Sequence, residues 1–212
     1  KTSCEQMEQK YLELAGKLSA LRKKKAKMLE KKIQKGLEDL NFEQVQFEIH
    51  FAEKKEYSKD GIDDVEFRIS LNQGQQVKPL TEVASGGELS RIMLAIKAVM
   101  ADKDEIETLI FDEIDVGISG RTAQKVSEKM CLIGRKHQVI CITHLAQIAA
   151  MADTHYLIEK RVEDQMTKTK IRQLDGEESV QELGRILGGA KITDAVLENA
   201  REMKILASGL KK

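Results

Sequence analysis

The stretch TLIFDEID, Thr108 to Asp115, places four strand-forming residues directly before the neighbouring carboxylates of Asp112 and Glu113. A second apolar run, QVICIT, follows later in the chain and is succeeded by His144. Short apolar runs of this kind are typical of strands buried on both faces of a sheet. Residues 120–134 between the runs have the pattern of a helix. The sequence therefore predicts an α/β fold with a mostly parallel sheet flanked by helices.

The two carboxylates at the end of the first run are candidate catalytic groups. In α/β sheets, ligands bind at the carboxyl ends of the strands. One carboxylate of such a pair can hold Mg²⁺ through water, while the other orients or deprotonates a nucleophilic water molecule. Taken alone, the pair would instead indicate an exposed acidic loop.

A second unusual stretch, VASGGELSRIMLA, sets two glycines at the beginning of a helix-like pattern. Ser85 and Glu88 have the spacing of a capping box, which needs no ligand. Gly86 and Gly87 are not required for that box, and each costs about 1 kcal/mol of helix stability. Bare backbone at the start of a helix lets an anion approach the N–H groups, where the helix dipole favours negative charge. The glycines therefore indicate a phosphate-binding helix terminus.

His144 follows Thr143 at the polar tip of the second predicted strand. A lone histidine in such a place is more often a structural hydrogen-bonding group than a catalyst. Next to an Asp-Glu pair on a companion strand, it becomes a candidate sensor of a terminal phosphate. The other three histidines have no such neighbours and are assigned no role: His50, His137 and His155.

Residues 1–40 have the apolar spacing of a coiled-coil arm. The apolar positions form a seam with one slip in register: Met7, Tyr11, Leu14, Leu18, Leu21 and Met28, then Leu29, Ile33, Leu37 and Leu40. Between Lys17 and Lys35 basic residues predominate, with Glu30 as the single acidic one. A solvated face of the coiled coil explains this charge, and contact with a phosphate backbone is the alternative.

Residues 41–212 are predicted to form a single lobe after this arm. The alternating stretches VQFEIHF and VEFRISL predict a hairpin. After the second buried strand, a helix begins near Leu145, and THYLIEK and TKTKIRQL read as two more strands. Two closing helices are predicted at 177–188 and 192–206.

Composition limits the class of protein. Basic and acidic residues are equal in number, 35 each, so the net charge indicates no particular partner. The three cysteines lie in no metal-ligand spacing, which is typical of reduced thiols in a cytosolic protein. No apolar run approaches membrane-spanning length, and no signal peptide is recognisable. Because the chain opens on Lys1 inside a patterned helix, we expect it to be a piece of a longer protein.

The order of these features resembles the ATP-binding-cassette ATPases, and within them the SMC-like branch that includes bacterial DNA repair proteins. The resemblance covers essentially the whole chain. Its strongest matches are NQGQQVKPL, VASGGELSRIMLAIK, FDEIDVGISGRTA and ITHLAQIA. It implies an ABC/SMC-type P-loop NTPase head lobe with an N-terminal coiled-coil segment, and ATP and Mg²⁺ as cofactors.

The resemblance also implies a role for each motif residue. Asp112 is the Walker B ligand of Mg²⁺, Glu113 is the catalytic base, and His144 is the switch histidine. The signature motif, which binds the nucleotide of a second copy, consists of Ser85, Gly86, Gly87 and Glu88. The D-loop contains Gly117 and Ser119.

Three departures from the family pattern are visible. Ser119 stands where many cassette ATPases have an aspartate, and Ala84 replaces the leucine common before the signature serine. The phosphate-binding loop G-x-x-x-x-G-K-[ST] is not found in the chain. In SMC-like proteins that Walker A lobe precedes the coiled coil. We therefore expect this chain to be the C-terminal half of such a protein, and to be inactive as an ATPase alone.

The function implied by the resemblance is ATP hydrolysis by a head that acts in DNA double-strand-break repair and recombination, in the cytoplasm at the nucleoid. ATP binding would join two heads through the signature, and hydrolysis would separate them. The implied partners are the N-terminal Walker A lobe, a second copy and DNA, and not a membrane. Two alternatives are the nucleotide-binding subunit of another cassette ATPase and a non-enzymatic coiled-coil module for dimerisation or DNA binding. The arm disfavours the former, and the intact acidic pair and switch histidine disfavour the latter.

Overall fold

The computed structural model describes residues 2–42, 44–82, 86–163, 166–189 and 191–211. The chain divides into two compact units, Lys1–Ser85 and Gly86–Lys212. The first unit contains helix α1 (Thr2–Glu38), strands β1 (Gln46–Glu53), β2 (Asp63–Ser70) and β3 (Lys78–Pro79), and a 3-10 turn (Leu80–Glu82). The second unit contains α2 (Gly86–Met100), β4 (Thr108–Phe111), α3 (Gly120–Gly134), β5 (Gln138–Cys141), α4 (Ala146–Ala150), β6 (Tyr156–Glu163), β7 (Met166–Gln173), α5 (Gly176–Gly188) and α6 (Asp194–Leu210).

The first unit is a long helix on a small antiparallel sheet. β1 pairs with β2 along its whole length, and β3 adds two residues to the other edge of β2. The helix packs on β1, where Phe47 and Ile49 are buried. Glu30 on the helix accepts a hydrogen bond from the backbone N–H of Ile49 (3.0 Å). The Glu30 carboxylate therefore satisfies a backbone N–H group on the edge of β1 that does not pair with β2.

Helix α1 has a buried face on both sides of the heptad slip, with Ala15, Ser19 and Ala26 buried before it. The later apolar positions, Ile33, Leu37 and Leu40, are completely buried in the unit. The earlier ones remain exposed at a spacing of seven residues: Met7, Leu14, Leu21 and Met28. The helix thus presents an apolar row to solvent beside a face that is buried from Ala15 to Leu37.

Polar contacts also fix α1 to the β1–β2 hairpin. Ser19 donates a hydrogen bond to Asp63 (2.6 Å), and Arg22 contacts the other oxygen of the same carboxylate (3.1 Å). Nearer the N-terminus, the Tyr11 hydroxyl donates to the carbonyl of Ser58 (3.1 Å). Burial raises the pKa of the Asp63 carboxyl, but the bonds from Ser19 and Arg22 outweigh it, and the pKa lies below its ordinary value.

In the second unit, the predicted alternation of strands and helices is confirmed, and β4 coincides with the four residues read from the sequence. Parallel pairing among the described strands is confined to β4 and β5. β6 and β7 pair antiparallel, because the two residues between them are too few for the crossover that parallel strands need. Among the described strands, the parallel sheet therefore consists of β4 and β5, and β6–β7 form a separate antiparallel sheet.

The helices α4, α5 and α6 form a core of small side chains. Ala146, Ala149 and Ala150 of α4 pack with Val180 and Leu183 of α5 and Ala200 of α6. α5 begins with a capping box between Asp175 and Glu178, which satisfies the first N–H groups of the helix. None of the described helices is long and apolar enough to cross a membrane.

The Asp63 contacts lead to a prediction for the stability of the first unit. Asp63→Ala should lower the free energy of unfolding by about 1–3 kcal/mol, because the Ser19 hydroxyl loses its buried acceptor and Arg22 loses its counter-charge. Urea unfolding at neutral pH measures this. Since the folded-state pKa of Asp63 is below its unfolded value, its contribution is present above that unfolded value and is lost as the pH falls through the folded one.

Asp64→Ala is the matched control, because Asp64 is the exposed neighbour of Asp63 on the same strand. The difference between the two variants should shrink in acid. Equal stability of both variants at neutral pH would contradict the importance of the Asp63 contacts.

Candidate active site

The parallel pairing of β4 and β5 brings the predicted site residues to one edge. Phe111 pairs with Cys141 at the last position of the two strands. One residue further, the N–H of Ile142 donates to the carbonyl of Phe111 (3.1 Å). Since the strands run in the same direction, the residues that follow them emerge side by side. The Asp112–Glu113 pair and His144 therefore lie at the same carboxyl edge.

Asp112 and Glu113 are exposed, but their backbone is tightly held. The N–H of Glu113 donates to Oδ1 of Asp112 (2.9 Å), and the carbonyl of Asp112 accepts from the Ser90 hydroxyl (2.9 Å). Glu113 has a φ of 55°, in the left-handed region that costs a residue with a side chain about 1–2 kcal/mol. Strain of this kind is typical of functional sites.

The two glycines of the signature stretch lie against this strained loop. A Cβ added to Gly86 would stand 2.3 Å from Oε2 of Glu113. One added to Gly87 would stand 2.9 Å from the carbonyl oxygen of Glu113 and 3.1 Å from Cβ of Val116. The sequence predicted glycines here for the approach of a phosphate, and the structure adds a second reason, which is packing within the chain. Ser85 lies outside the described residues.

Arg91, which sequence reasoning missed, holds the same loop from the side of α2. It is buried and donates to the carbonyls of Ile114 (3.3 Å) and Val116 (2.9 Å). Burial lowers the pKa of its guanidinium, and the nearby charge of Glu88 partly offsets the effect. Its spacing of four residues from Gly87 places it on the buried face of the helix, and this spacing was the signal available in the sequence.

Asp115 is the other group that the sequence did not single out. Its side chain is buried, and its Oδ2 accepts hydrogen bonds from the Thr143 hydroxyl (2.6 Å) and from the backbone N–H of His144 (2.8 Å). Nδ1 of His144 lies 3.1 Å from the same oxygen. One carboxylate oxygen therefore ties the loop after β4 to the end of β5. No pattern in the run DEID distinguishes this aspartate from its neighbours.

The predicted D-loop follows directly. Gly117 has a φ of 75°, where glycine avoids the steric cost of a side chain. Ser119 is exposed and precedes α3, and its carbonyl accepts the N–H of Thr122 (3.2 Å). The side chain of Ser119 makes no capping hydrogen bond to that helix.

The remaining reactive side chains near β5 have structural contacts. Burial, with the charges of Asp115 and Asp112, raises the pKa of the Cys141 thiol to about 12, so it stays protonated at neutral pH. His137 places its two ring nitrogens near the carbonyls of Ile106 (2.7 Å) and Ala101 (2.9 Å). Its ring therefore fixes the connection between α2 and β4.

His155 belongs to a separate polar cluster with Ser179 of α5 and Lys204 of α6. Its Nδ1 is 2.8 Å from the Ser179 hydroxyl, which also accepts from Lys204 (2.9 Å). Burial lowers the pKa of His155, and the charge of Lys204 lowers it further. Within the described ranges, no three His, Cys, Asp or Glu side chains are grouped so that they could hold a metal ion.

Relatives of known name match most of the chain. "DNA repair protein RecN" of Halalkalibacterium halodurans is 44% identical over 198 residues, which are 92% of this chain and 35% of that protein. The protein of the same name from Bacillus subtilis is 40% identical over 204 residues, covering 89% of this chain and 35% of that protein. The protein of the same name from Treponema pallidum is 50% identical over 143 residues, which are 68% of this chain and 25% of that protein. No protein-family model matches the chain.

Solved structures agree on the fold. The Smc head domain with a coiled coil and joint from Pyrococcus yayanosii has a TM-score of 0.53 at 22% identity, covering 77% of this chain and 29% of that one. The SMC-type head fold expected from the sequence is confirmed. The chain spans about a third of the length of its first curated relatives, 35% in both cases. With 40% identity or more over about nine tenths of its length, the chain belongs to the RecN family of DNA repair proteins.

Proposed function

We propose that the whole protein is an SMC-like ATPase acting in DNA double-strand-break repair and recombination. In it, this chain corresponds to the C-terminal part and supplies the signature, Walker B, D-loop and switch-histidine motifs of the head. The observation that carries the proposal is the meeting of Asp112, Glu113 and His144 at one edge of the β4–β5 pair. The name of the relatives supports the role in DNA repair, and a place at the nucleoid in the cytoplasm follows from it.

The positions of the residues support the roles that the resemblance implies. Asp112 presents an exposed carboxylate at the strand end. Mg²⁺ typically takes one or two carboxylates and completes its shell with waters and substrate phosphates, so a single aspartate fits this ion without a protein cage. When bound, the ion neutralises phosphate charge. Glu113, held by its left-handed backbone beside Asp112, accepts the proton of the attacking water. His144 contacts the terminal phosphate.

A second copy completes the site in this proposal. The signature, Ser85 to Glu88, covers the nucleotide held by the partner head, and the D-loop at Gly117 and Ser119 lies between the two sites. ATP then joins the heads, and hydrolysis separates them. A site shared across a two-fold interface requires each chain to contribute the same surface.

The catalytic assignment leads to a prediction for the full-length protein. Glu113→Gln should keep ATP and Mg²⁺ binding but lower kcat for hydrolysis at least about 100-fold, because an amide cannot take the proton of water. Asp112→Asn should instead raise the Mg²⁺ concentration needed for half-maximal activity. Steady-state ATPase assays over a Mg²⁺ titration, with nucleotide binding by calorimetry, measure both effects.

Glu107→Gln serves as the matched control, because Glu107 is an exposed glutamate just before the same strand. It should hydrolyse ATP at the wild-type rate. If Glu113→Gln did so too, the base assignment would be wrong. A full-length protein that neither binds nor hydrolyses ATP would favour the non-enzymatic alternative.

The open face of the parallel pair supports an N-terminal Walker A lobe as the partner of this chain. Ile110 and Ile140 pair across the two strands and are 67% and 44% exposed, and Ile142 is 51% exposed. The alternate residue Phe111 is buried on the opposite face. Parallel sheets in α/β proteins are covered on both faces. We therefore propose that a part of the full-length protein outside this chain packs on this apolar face.

This assignment can be tested by placing a charge on the apolar face. Ile140→Lys in the full-length protein should lower its melting temperature and its ATPase activity, because burying an unpaired ammonium group is costly. Ile205→Lys is the control, since Ile205 on α6 is even more exposed, at 71%. Thermal unfolding and ATPase assays compare them. Equal effects of the two changes would contradict a covered β4–β5 face.

The exposed row on α1 supports a coiled-coil partner helix. Met7, Leu14, Leu21 and Met28 recur every seven residues and remain exposed. Such a row is the seam along which two helices wind around each other. The arm helix that leads to the Walker A lobe of the same protein is the proposed occupant.

Basic residues on the outward face of α1 support DNA as a further partner. Lys24, Lys31 and Lys35 are exposed, and spacings of seven and four residues place them on one face of the helix, which borders the apolar row at Met28. In this proposal the partner helix and DNA therefore lie side by side along α1. Neighbouring Lys23 instead lies 5.9 Å from the centre of the Phe51 ring. A row of ammonium groups of this kind can contact successive phosphates.

Changing Lys24, Lys31 and Lys35 together to Gln should weaken DNA binding and flatten its dependence on salt. If all three contact phosphates, the slope of log K against log salt should fall by about 3. Fluorescence anisotropy with duplex DNA at several salt concentrations measures it. The control changes three scattered exposed lysines outside α1, Lys59, Lys103 and Lys191. An unchanged slope in the first variant would show that the row is a solvated face.

A further inference from the structure

A buried carboxylate lies directly behind the switch histidine and has no role in the proposed function. Asp115 is 3% exposed. Its Oδ2 receives hydrogen bonds from the Thr143 hydroxyl and the His144 backbone, and lies 3.1 Å from Nδ1 of His144. The imidazole itself is far more open, with 71% of the side chain exposed. The ring is therefore anchored at its Nδ1 edge and open on the other side.

This contact determines the form of the imidazole as well as its orientation. An ionised carboxylate only accepts hydrogen bonds, so a hydrogen bond across this 3.1 Å contact requires a proton on Nδ1. In a neutral histidine, the hydrogen-bond partner of one ring nitrogen determines which of the two nitrogens carries the proton. A neutral His144 then has its proton on Nδ1 and a lone pair on Nε2.

We propose that Asp115 is a positioning residue for His144, which fixes the Nδ1–H form of the ring and directs Nε2 toward the reacting phosphate. The identity of the group that Nε2 meets rests on the proposed function, whereas the control of the ring by Asp115 does not. Since Asp115 follows Glu113 by two residues, the same carboxylate also ties the base-bearing loop to the histidine.

Thr143 distinguishes this role from simple anchoring of the loop. Its hydroxyl contacts the same Oδ2 and also accepts the N–H of Leu145 (3.0 Å). Thr143→Val removes a bond that holds the loop but leaves the Asp115–His144 contact in place. Asp115→Ala removes both. Asp115→Asn keeps an acceptor oxygen on a side chain of the same length but removes the negative charge.

The experiment uses the full-length protein with ¹⁵N-labelled histidine, in which His144→Gln identifies the signals of His144. In the wild type, the neutral ring should show a protonated Nδ1. Asp115→Ala should shift it toward the Nε2–H form that free imidazole side chains prefer, while Thr143→Val and Asp115→Asn should keep the wild-type form. A wild-type ring in the Nε2–H form overturns the proposal without any variant.

ATP hydrolysis provides the second readout. Asp115→Ala should lower kcat about 10- to 100-fold, the range found when the outer partner of a functional histidine is removed, with a smaller change in KM for ATP. Asp115→Asn should restore most of the activity. In a double-mutant cycle, adding Asp115→Ala to His144→Gln should cause no further loss, because both changes act through the same ring. Additive losses would show that Asp115 acts on activity by another route and would overturn the proposal.

The two readouts separate this proposal from the proposed function. If Asp115→Ala changes the ring form but His144→Gln hydrolyses ATP normally, the positioning contact stands and the phosphate role of His144 fails. If the ring form is unchanged in Asp115→Ala, the positioning role fails whatever the rates of hydrolysis are.

Discussion

The carboxyl edge of the parallel sheet depends on the buried carboxylate of Asp115. Taking this charge out of water is costly unless donors replace the lost hydration. Thr143 and His144 supply those donors from the neighbouring strand end. Two parallel strands cannot be joined by a tight turn, and here α3 separates β4 from β5 in sequence. The Asp115 contact therefore links at the edge two loops that the chain connects only through a helix.

The elements of the second unit were predictable because their patterns are strong. β4 begins and ends where the apolar run does, at Thr108 and Phe111, and α3 occupies the predicted range. The positions of Asp112, Glu113 and His144 at one edge follow from parallel strands alone. The role of Asp115 was not predictable, since three carboxylates within four residues look alike in sequence and only packing decides which one is buried. Arg91 was missed for a related reason, because a charged residue on an amphipathic helix is expected to face water.

In the first unit, the sequence predicts helix α1 but not which of its apolar positions are buried. The apolar positions of α1 lie on two faces of the helix, and the heptad pattern does not separate them; the buried face includes Ala15 and Ala26 before the slip. Ile33 and Leu37 beyond the slip are buried in the unit, whereas Leu14 and Leu21 before it are exposed. The short strand β3 has no signal in the sequence, because two residues that include Pro79 carry no strand period. It forms only because the edge of β2 was available for pairing.

The glycines of the signature stretch satisfy two demands at once, and the structure separates them. At Gly87, an added Cβ would meet backbone and the side chain of Val116 within the same chain. That position needs glycine whether or not a nucleotide binds. At Gly86, the added atom would meet only the carboxylate end of Glu113, which a rotation of that flexible side chain can move away. Packing alone therefore constrains Gly86 less than Gly87. Of the two glycines, Gly86 is therefore the one that packing leaves unexplained and that the proposed phosphate contact at the helix terminus would explain.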